Sequence, residues 1–96
     1  MPHAYIIVNS TISNPEQYAA YRQVASKAIE AYGAEVCIRG GAIEVLEGDW
    51  TPDRVVLLKF PSTQRAREFY NSPEYSLARQ AREGAAVMRM VLVEGI

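Results

Sequence analysis

The sequence predicts an α+β domain of ferredoxin-like type, with elements in the order β-α-β-β-α-β. Three observations carry this. Segments rich in β-branched and aromatic residues stand at 3–12, 35–47, 54–60 and 86–94. Two stretches between them have apolar residues three and four apart, with capping signals at their starts. The chain has 96 residues, too few for a second core, so one domain over 1–96 is expected.

The first strand runs over 3–12. Asn14-Pro15-Glu16-Gln17 then offers an N-cap, a proline at the first helical position and a glutamine at the third, a capping-box arrangement. Tyr18, Tyr21, Ala25, Ala28 and Tyr32 form the inward stripe of the helix that follows, and Gly33 is placed for the left-handed cap that ends it. Residues 35–39 read as a strand, interrupted by Gly40-Gly41 and resumed over 42–47. The paired glycines signal a bulge, a close approach by a backbone or ligand, or a tight hairpin turn. A loop over 48–53 leads to a strand over 54–60. Pro61-Ser62 caps a helix with Ala66, Phe69 and Tyr70 inward. Asn71-Ser72-Pro73 kinks it or divides it in two, with Leu77, Ala78 and Ala81 on one side afterwards. Gly84 ends this helical region, and 86–94 supplies the last strand.

Composition narrows the function. Formal net charge is −1, with Lys+Arg 10 against Asp+Glu 11. With no basic cluster to neutralise phosphates, nucleic-acid binding is not expected. The apolar runs are far shorter than a spanning helix, and there is no signal pattern at the N-terminus. The expectation is a soluble cytoplasmic protein without membrane contact. The single Cys37 excludes an internal disulfide and reads as a small buried residue. One cysteine and one histidine supply too few soft ligands for a metal site, and no cofactor is expected.

A domain of this size buries roughly 60 to 65 % of its unfolded surface, so pairing with a copy of itself would add much. The strands over 55–60 and 87–93 are apolar at alternating and intervening positions alike, which implies burial on both faces. Two helices cover only one face. A homodimer with facing sheets is the expected solution, each subunit keeping a cleft between sheet and helices.

Residues 39–54 concentrate three glycines, the only tryptophan and a cluster of charge. Arg39 could hold a carboxylate or enolate in a bidentate grip, or pair with Glu47 or Asp49. Glu47 and Glu94 stand at the ends of apolar strands, where partial desolvation would favour proton transfer; exposed strand-end carboxylates are the alternative. Trp50 would stack a planar ligand or pack across the dimer interface. His3 is the one side chain whose ordinary pKa lies near neutrality, at a terminal position that suits solvation as well as catalysis. Tyr5, Tyr70, Asn71 and Tyr75 complete the candidate lining of a small-molecule cleft.

Tyr18-x-x-Tyr21, Tyr32-Gly33, Arg39-Gly40-Gly41, Glu47-Gly48-Asp49-Trp50, Phe60-Pro61-Ser62, Tyr70-Asn71-Ser72-Pro73-Glu74-Tyr75 and Val93-Glu94-Gly95 together resemble the domain of unknown function 1330 family over nearly the whole chain. The resemblance implies a dimeric α+β barrel related to cofactor-independent monooxygenases, muconolactone isomerase-like enzymes, dehydratases and haem-degrading or haem-dependent enzymes. It implies no particular reaction. Haem would need an axial ligand, and His3 is the only histidine. Two expectations follow: a small-molecule binder or cofactor-independent enzyme for a small apolar or aromatic, optionally oxygenated metabolite, with Arg39, Glu47 and His3 as catalytic candidates and Tyr5, Trp50, Tyr70, Asn71 and Tyr75 contacting substrate; or a non-catalytic dimeric interaction or regulatory module.

Overall fold

The computed structural model describes residues 2–96. The elements are β1 (Ala4–Ile12), α1 (Pro15–Ala31), β2 (Glu35–Arg39), β3 (Val55–Phe60), α2 (Thr63–Tyr70), α3 (Pro73–Ala81) and β4 (Ala86–Glu94). The strands form one antiparallel sheet in the order β2-β3-β1-β4, so the α+β ferredoxin-like expectation holds. Alternation along β1 buries Ala4, Ile6, Val8 and Ser10 under the helices and turns Tyr5, Ile7 and Asn9 to the other face.

Local chemistry explains the element boundaries. The Asn14 side chain accepts from Gln17 N at 3.2 Å and opens α1. The reciprocal half of the expected capping box is absent: Asn14 N donates to Ala85 O at 3.0 Å, and Gln17 Nε2 donates to Ala81 O and Glu83 O at 3.1 and 2.6 Å. The glutamine therefore ties α1 to the end of α3. Ser72 is the joint between α2 and α3. Its hydroxyl donates to Phe69 O at 2.7 Å and accepts from Tyr75 N at 3.1 Å, closing one helix and opening the next. Pro73, lacking an N–H, fits the first position of α3.

The core is the aromatic seam between helices and sheet. Phe69 stands 4.6 Å from Tyr75, 5.2 Å from Phe60 and 6.3 Å from Tyr32, ring centroid to centroid. Small residues on the helices, Ala25, Ala28, Ala66 and Ala78, let α1, α2 and α3 approach this seam.

Three sequence expectations are corrected. Residues 42–47 form no strand; despite their alternation they have no ladder partner in this chain, and Ile43, Val45 and Leu46 are exposed. Cys37 is exposed because the β2–β3 register slips between Val36 and Ile38, leaving it as the extra residue of a bulge on an edge strand. Leu77 is 60 % exposed, on the outer side of α3, while Ala78 is buried. The uncovered sheet face carries Ile38, Val87, Val91 and Val93, all exposed in the single chain. Among the described residues, no helix is long and apolar enough to cross a membrane.

Candidate functional site

A cavity of about 370 Å³ lies between α1 and the covered face of the sheet. Ile6 and Val8 of β1, Val56 and Leu58 of β3, and Met88 and Met90 of β4 line the sheet side. Tyr18, Tyr21, Ala25 and Ile29 of α1 line the opposite side, and Phe69 and Tyr75 complete the wall. Its size and apolar lining are those of a small-molecule pocket.

The bulge at Cys37 decides what else faces this space. Val36 pairs with Leu58, but Ile38 pairs with Leu57 and Arg39 with Val56. A strand in unbroken register would have put Ile38 on the cavity face and Arg39 on the outer one, because side chains alternate with period two. The extra residue reverses this, so Arg39 lines the cavity and Ile38 faces out. Deleting Cys37 should therefore remove the bulge and keep Arg39 where it is. For any ligand held through Arg39, affinity in the deletion variant is expected to stay within roughly threefold of the parent, a difference under about 1 kcal/mol. Calorimetric titration of the deletion variant checks this; loss of binding equal to that of an Arg39 variant would refute the register argument.

Arg54, immediately before β3, joins Arg39 at the cavity. Its guanidinium lies over the Tyr18 ring at 5.6 Å, and its Nη1 donates to Tyr18 Oη at 3.3 Å. It reaches this position across Gly40, where a Cβ would stand 2.8 Å from Arg54 Nε. Gly40 also has φ +65°, a left-handed conformation in which a side chain is strained, and its N–H donates to Val55 O at 2.8 Å. The close approach read from Gly40-Gly41 is thus made by an arginine side chain. Arg22, exposed on α1, is a third cation at the rim, and among the described residues no Asp or Glu lines the cavity. Among the described residues the only ion pair is Arg65–Glu68 at 3.1 Å, so Arg22, Arg39 and Arg54 have no carboxylate partner.

The same cavity lining contains a hydroxyl pair. Tyr21 Oη and Tyr75 Oη are 2.8 Å apart, and Tyr75 Oη is 3.9 Å from the Met90 sulfur. Burial pushes both phenols above the ordinary tyrosine range; the Tyr75 neighbour raises Tyr21 further, while the Tyr21 hydrogen bond and the Arg82 charge partly oppose the rise at Tyr75. Both hydroxyls are therefore neutral donors at physiological pH. Because the folded state resists forming these phenolates, their contribution to stability is complete below the unfolded value of about 10 and is lost as pH rises beyond it. Unfolding midpoints followed by circular dichroism should fall above about pH 10, and the fall should lessen in the Tyr21→Phe/Tyr75→Phe double variant.

The sequence candidates fall into separate places. Arg39 and Tyr75 line the cavity. Tyr70 and Asn71 line a second recess of about 340 Å³ between α2 and β4, with Ile6 and Met90 among the residues common to both spaces. There Tyr70 Oη accepts from Arg79 Nη1 at 3.3 Å, and Asn71 Nδ2 donates to Arg67 O at 3.0 Å. Tyr5 is on the uncovered sheet face, between Lys59 and Val93. His3 is exposed ahead of β1, its carbonyl accepting from Gly95 N at 2.7 Å. Glu47 and Trp50 are exposed in the segment between β2 and β3, Trp50 at 64 %. The sequence reading did not single out Arg54 or the Tyr21–Tyr75 pair. Tyr21 was visible in the helix stripe, but its partner lies 54 residues away.

Similarity to known proteins agrees with this architecture. The RPA0582 protein of unknown function from Rhodopseudomonas palustris is 22 % identical, with a TM-score of 0.72 over 99 % of this chain and 83 % of its own. A dimeric protein of unknown function and ferredoxin-like fold from Bacteroides fragilis is 15 % identical, with a TM-score of 0.57 over 96 % and 95 %. SnoaB, a cofactor-independent oxygenase from Streptomyces nogalater, is 9 % identical, with a TM-score of 0.61 over 96 % and 91 %. At these identities the likeness is one of fold. No curated protein matches the sequence. Residues 3–96 match the family described as Domain of unknown function (DUF1330), and the chain belongs to that family.

Proposed function

We propose that this protein binds a small apolar or aromatic monoanion in the cavity between α1 and the sheet, with Arg39 holding the anionic oxygen and Tyr75 forming part of the wall. One observation carries the reading: among the described residues, an apolar cavity of about 370 Å³ is lined by three arginines and by no acidic residue. Unneutralised guanidinium groups beside an apolar space favour a ligand that brings its own negative charge and a hydrophobic body. A cofactor-independent reaction on such a ligand fits the same site, and the fold similarity to SnoaB supports that class of chemistry. Calorimetry and thermal shift with benzoate and with its neutral isostere benzamide test the proposal. Benzoate should bind and raise the melting temperature, as any ligand selective for the native state does. Equal response to both, or to neither, would remove the anion-binding reading.

A homodimer through the uncovered sheet face accompanies this reading, supported by the exposed Ile38, Val87, Val91 and Val93 and by the dimeric Bacteroides fragilis structure. Glu47 and His3 are outside the cavity of their own chain, so proton transfer by either requires the second copy to bring it there. Trp50 would contact ligand under the same condition. Tyr70 and Asn71 would bind ligand only if it extends into the second recess, and Tyr5 belongs to the dimerising face in this arrangement. The exposed apolar face also favours a second reading, a non-catalytic dimeric interaction module. A stable dimer that binds no small acid supports that alternative.

A further inference from the structure

We infer that the ligand is an apolar carboxylate bearing a second, uncharged acceptor oxygen, with its carboxylate at Arg39 and Arg54 and its carbonyl oxygen at the Tyr21–Tyr75 hydroxyl pair. This rests on the anion-binding reading of the same cavity and adds the chemistry of the ligand's other end.

The argument begins with a proton count. Two phenols 2.8 Å apart share one hydrogen bond, in which either oxygen can be the donor. One hydroxyl hydrogen is then left over. When Tyr21 donates to Tyr75, the remaining hydrogen meets only the Met90 sulfur, at 3.9 Å. A thioether is a weak acceptor, so the pair retains most of its capacity to donate to oxygen. Tyr21, Tyr75 and Met90 all line the cavity, so the unmet donor belongs to the same space as the arginines.

The ligand's oxygen must be an acceptor and not an acid. Burial disfavours phenolate at either tyrosine, and neither hydroxyl has a carboxylate or histidine beside it in the cavity lining to take its proton. A neutral donor in a poorly solvated setting favours a carbonyl or developing oxyanion. Arg82, whose charge acts on the hydroxyl pair, lines a different recess, so the charged end is assigned to the arginines of the cavity lining itself. Arg54 contacts Tyr18 Oη at 3.3 Å, and the Tyr18 and Tyr21 rings are 5.1 Å apart, centroid to centroid. The two polar ends are therefore connected through the neighbouring Tyr18 and Tyr21 rings, in a cavity whose lining also includes Val56 and Met88. A compact apolar spacer joining carboxylate and ketone matches that order. A dicarboxylate matches it less well, since its second charge would stand against the neutral hydroxyl pair and the methionines.

Three probes on the full chain test this. 4-Acetylbenzoate carries both ends. 4-Isopropenylbenzoate replaces the ketone oxygen with CH2 at nearly constant shape, and 4-methylacetophenone lacks the carboxylate. Calorimetry should show 4-acetylbenzoate binding roughly 3- to 10-fold more tightly than the isopropenyl compound, the range of one net hydrogen bond. In Tyr21→Phe/Tyr75→Phe the two carboxylates should bind equally, with the fold checked by circular dichroism. Removing both hydroxyls together leaves no orphaned partner within the pair, which keeps this variant suitable for the test. Equal affinity of the two carboxylates for the parent protein would overturn the inference while leaving the anion-binding reading standing. So would a ketone preference that survives in the double variant. Failure of both carboxylates to bind at millimolar concentration would overturn the two together. The neutral ketone binding as tightly as 4-acetylbenzoate would overturn the assignment of the charged end.

Discussion

Replacing Arg39 by alanine is expected to weaken binding of an aromatic carboxylate by roughly 10- to 100-fold, the worth of a charge-assisted hydrogen bond. Stability should change by no more than about 0.5 kcal/mol, because Arg39 is exposed and makes no ion pair among the described residues. The two readouts separate a ligand-holding residue from a structural one. Arg39→Lys should recover only part of the affinity, since an ammonium keeps the charge and loses the planar fork. Calorimetric titration with benzoate beside thermal melts of the three proteins is the check. An affinity within twofold of the parent in Arg39→Ala would return this residue to the ordinary surface.

The largest loss of stability is expected at Phe69. It is 2 % exposed and touches the rings of Tyr75, Phe60 and Tyr32, so truncation leaves a void at the junction of three helices and the sheet. Phe69→Ala should cost about 3 to 5 kcal/mol. For a domain of this size that lowers the melting temperature on the order of 15 to 30 °C. Set against a total stability of roughly 5 to 15 kcal/mol, the variant would sit close to unfolding at ordinary temperatures. Leu77→Ala provides the contrast: at 60 % exposure on the outer side of α3, it should stay within about 0.5 kcal/mol. Urea titrations of both variants measure the difference. Comparable losses at the two positions would mean that Leu77 is covered in solution, as an interface would do.

The contrast between Phe69 and Leu77 also shows how far a sequence can be read. Capping chemistry is local, so Asn14, Ser62 and Ser72 were legible as helix starts, and each accepts the expected backbone hydrogen bond. The stripe Tyr18, Tyr21, Ala25 and Ala28 was legible because helical period alone sets it, and all four are buried. Leu77 was not, because its neighbour Ala78 has the same apolar character and only the packing of α3 decides which turns inward. The segment 42–47 alternates as a strand does, yet a strand needs a neighbour to pair with, and pairing is a property of the fold.

The site divides in the same way. Arg39 was singled out for standing beside Gly40-Gly41, and it does line the cavity, but the feature that turns it there is the bulge at Cys37. Nothing in Val36-Cys37-Ile38 distinguishes a bulged strand from a regular one. The bulge, turn, or backbone or ligand approach read from Gly40-Gly41 is replaced by a side chain, the Arg54 guanidinium from across the β2–β3 connection, packed against Gly40 alone, with nothing within 4 Å of Gly41. The Tyr21–Tyr75 contact joins α1 to α3 and has no local signature at all.

The most direct measurement of the central claim is a crystal structure of the protein grown with 4-acetylbenzoate. The predicted result is ligand density between α1 and the sheet, its carboxylate within hydrogen-bonding distance of Arg39 or Arg54 and its ketone oxygen against Tyr21 or Tyr75. A cavity closed by its own side chains, with ligand bound only on the uncovered sheet face, would contradict it.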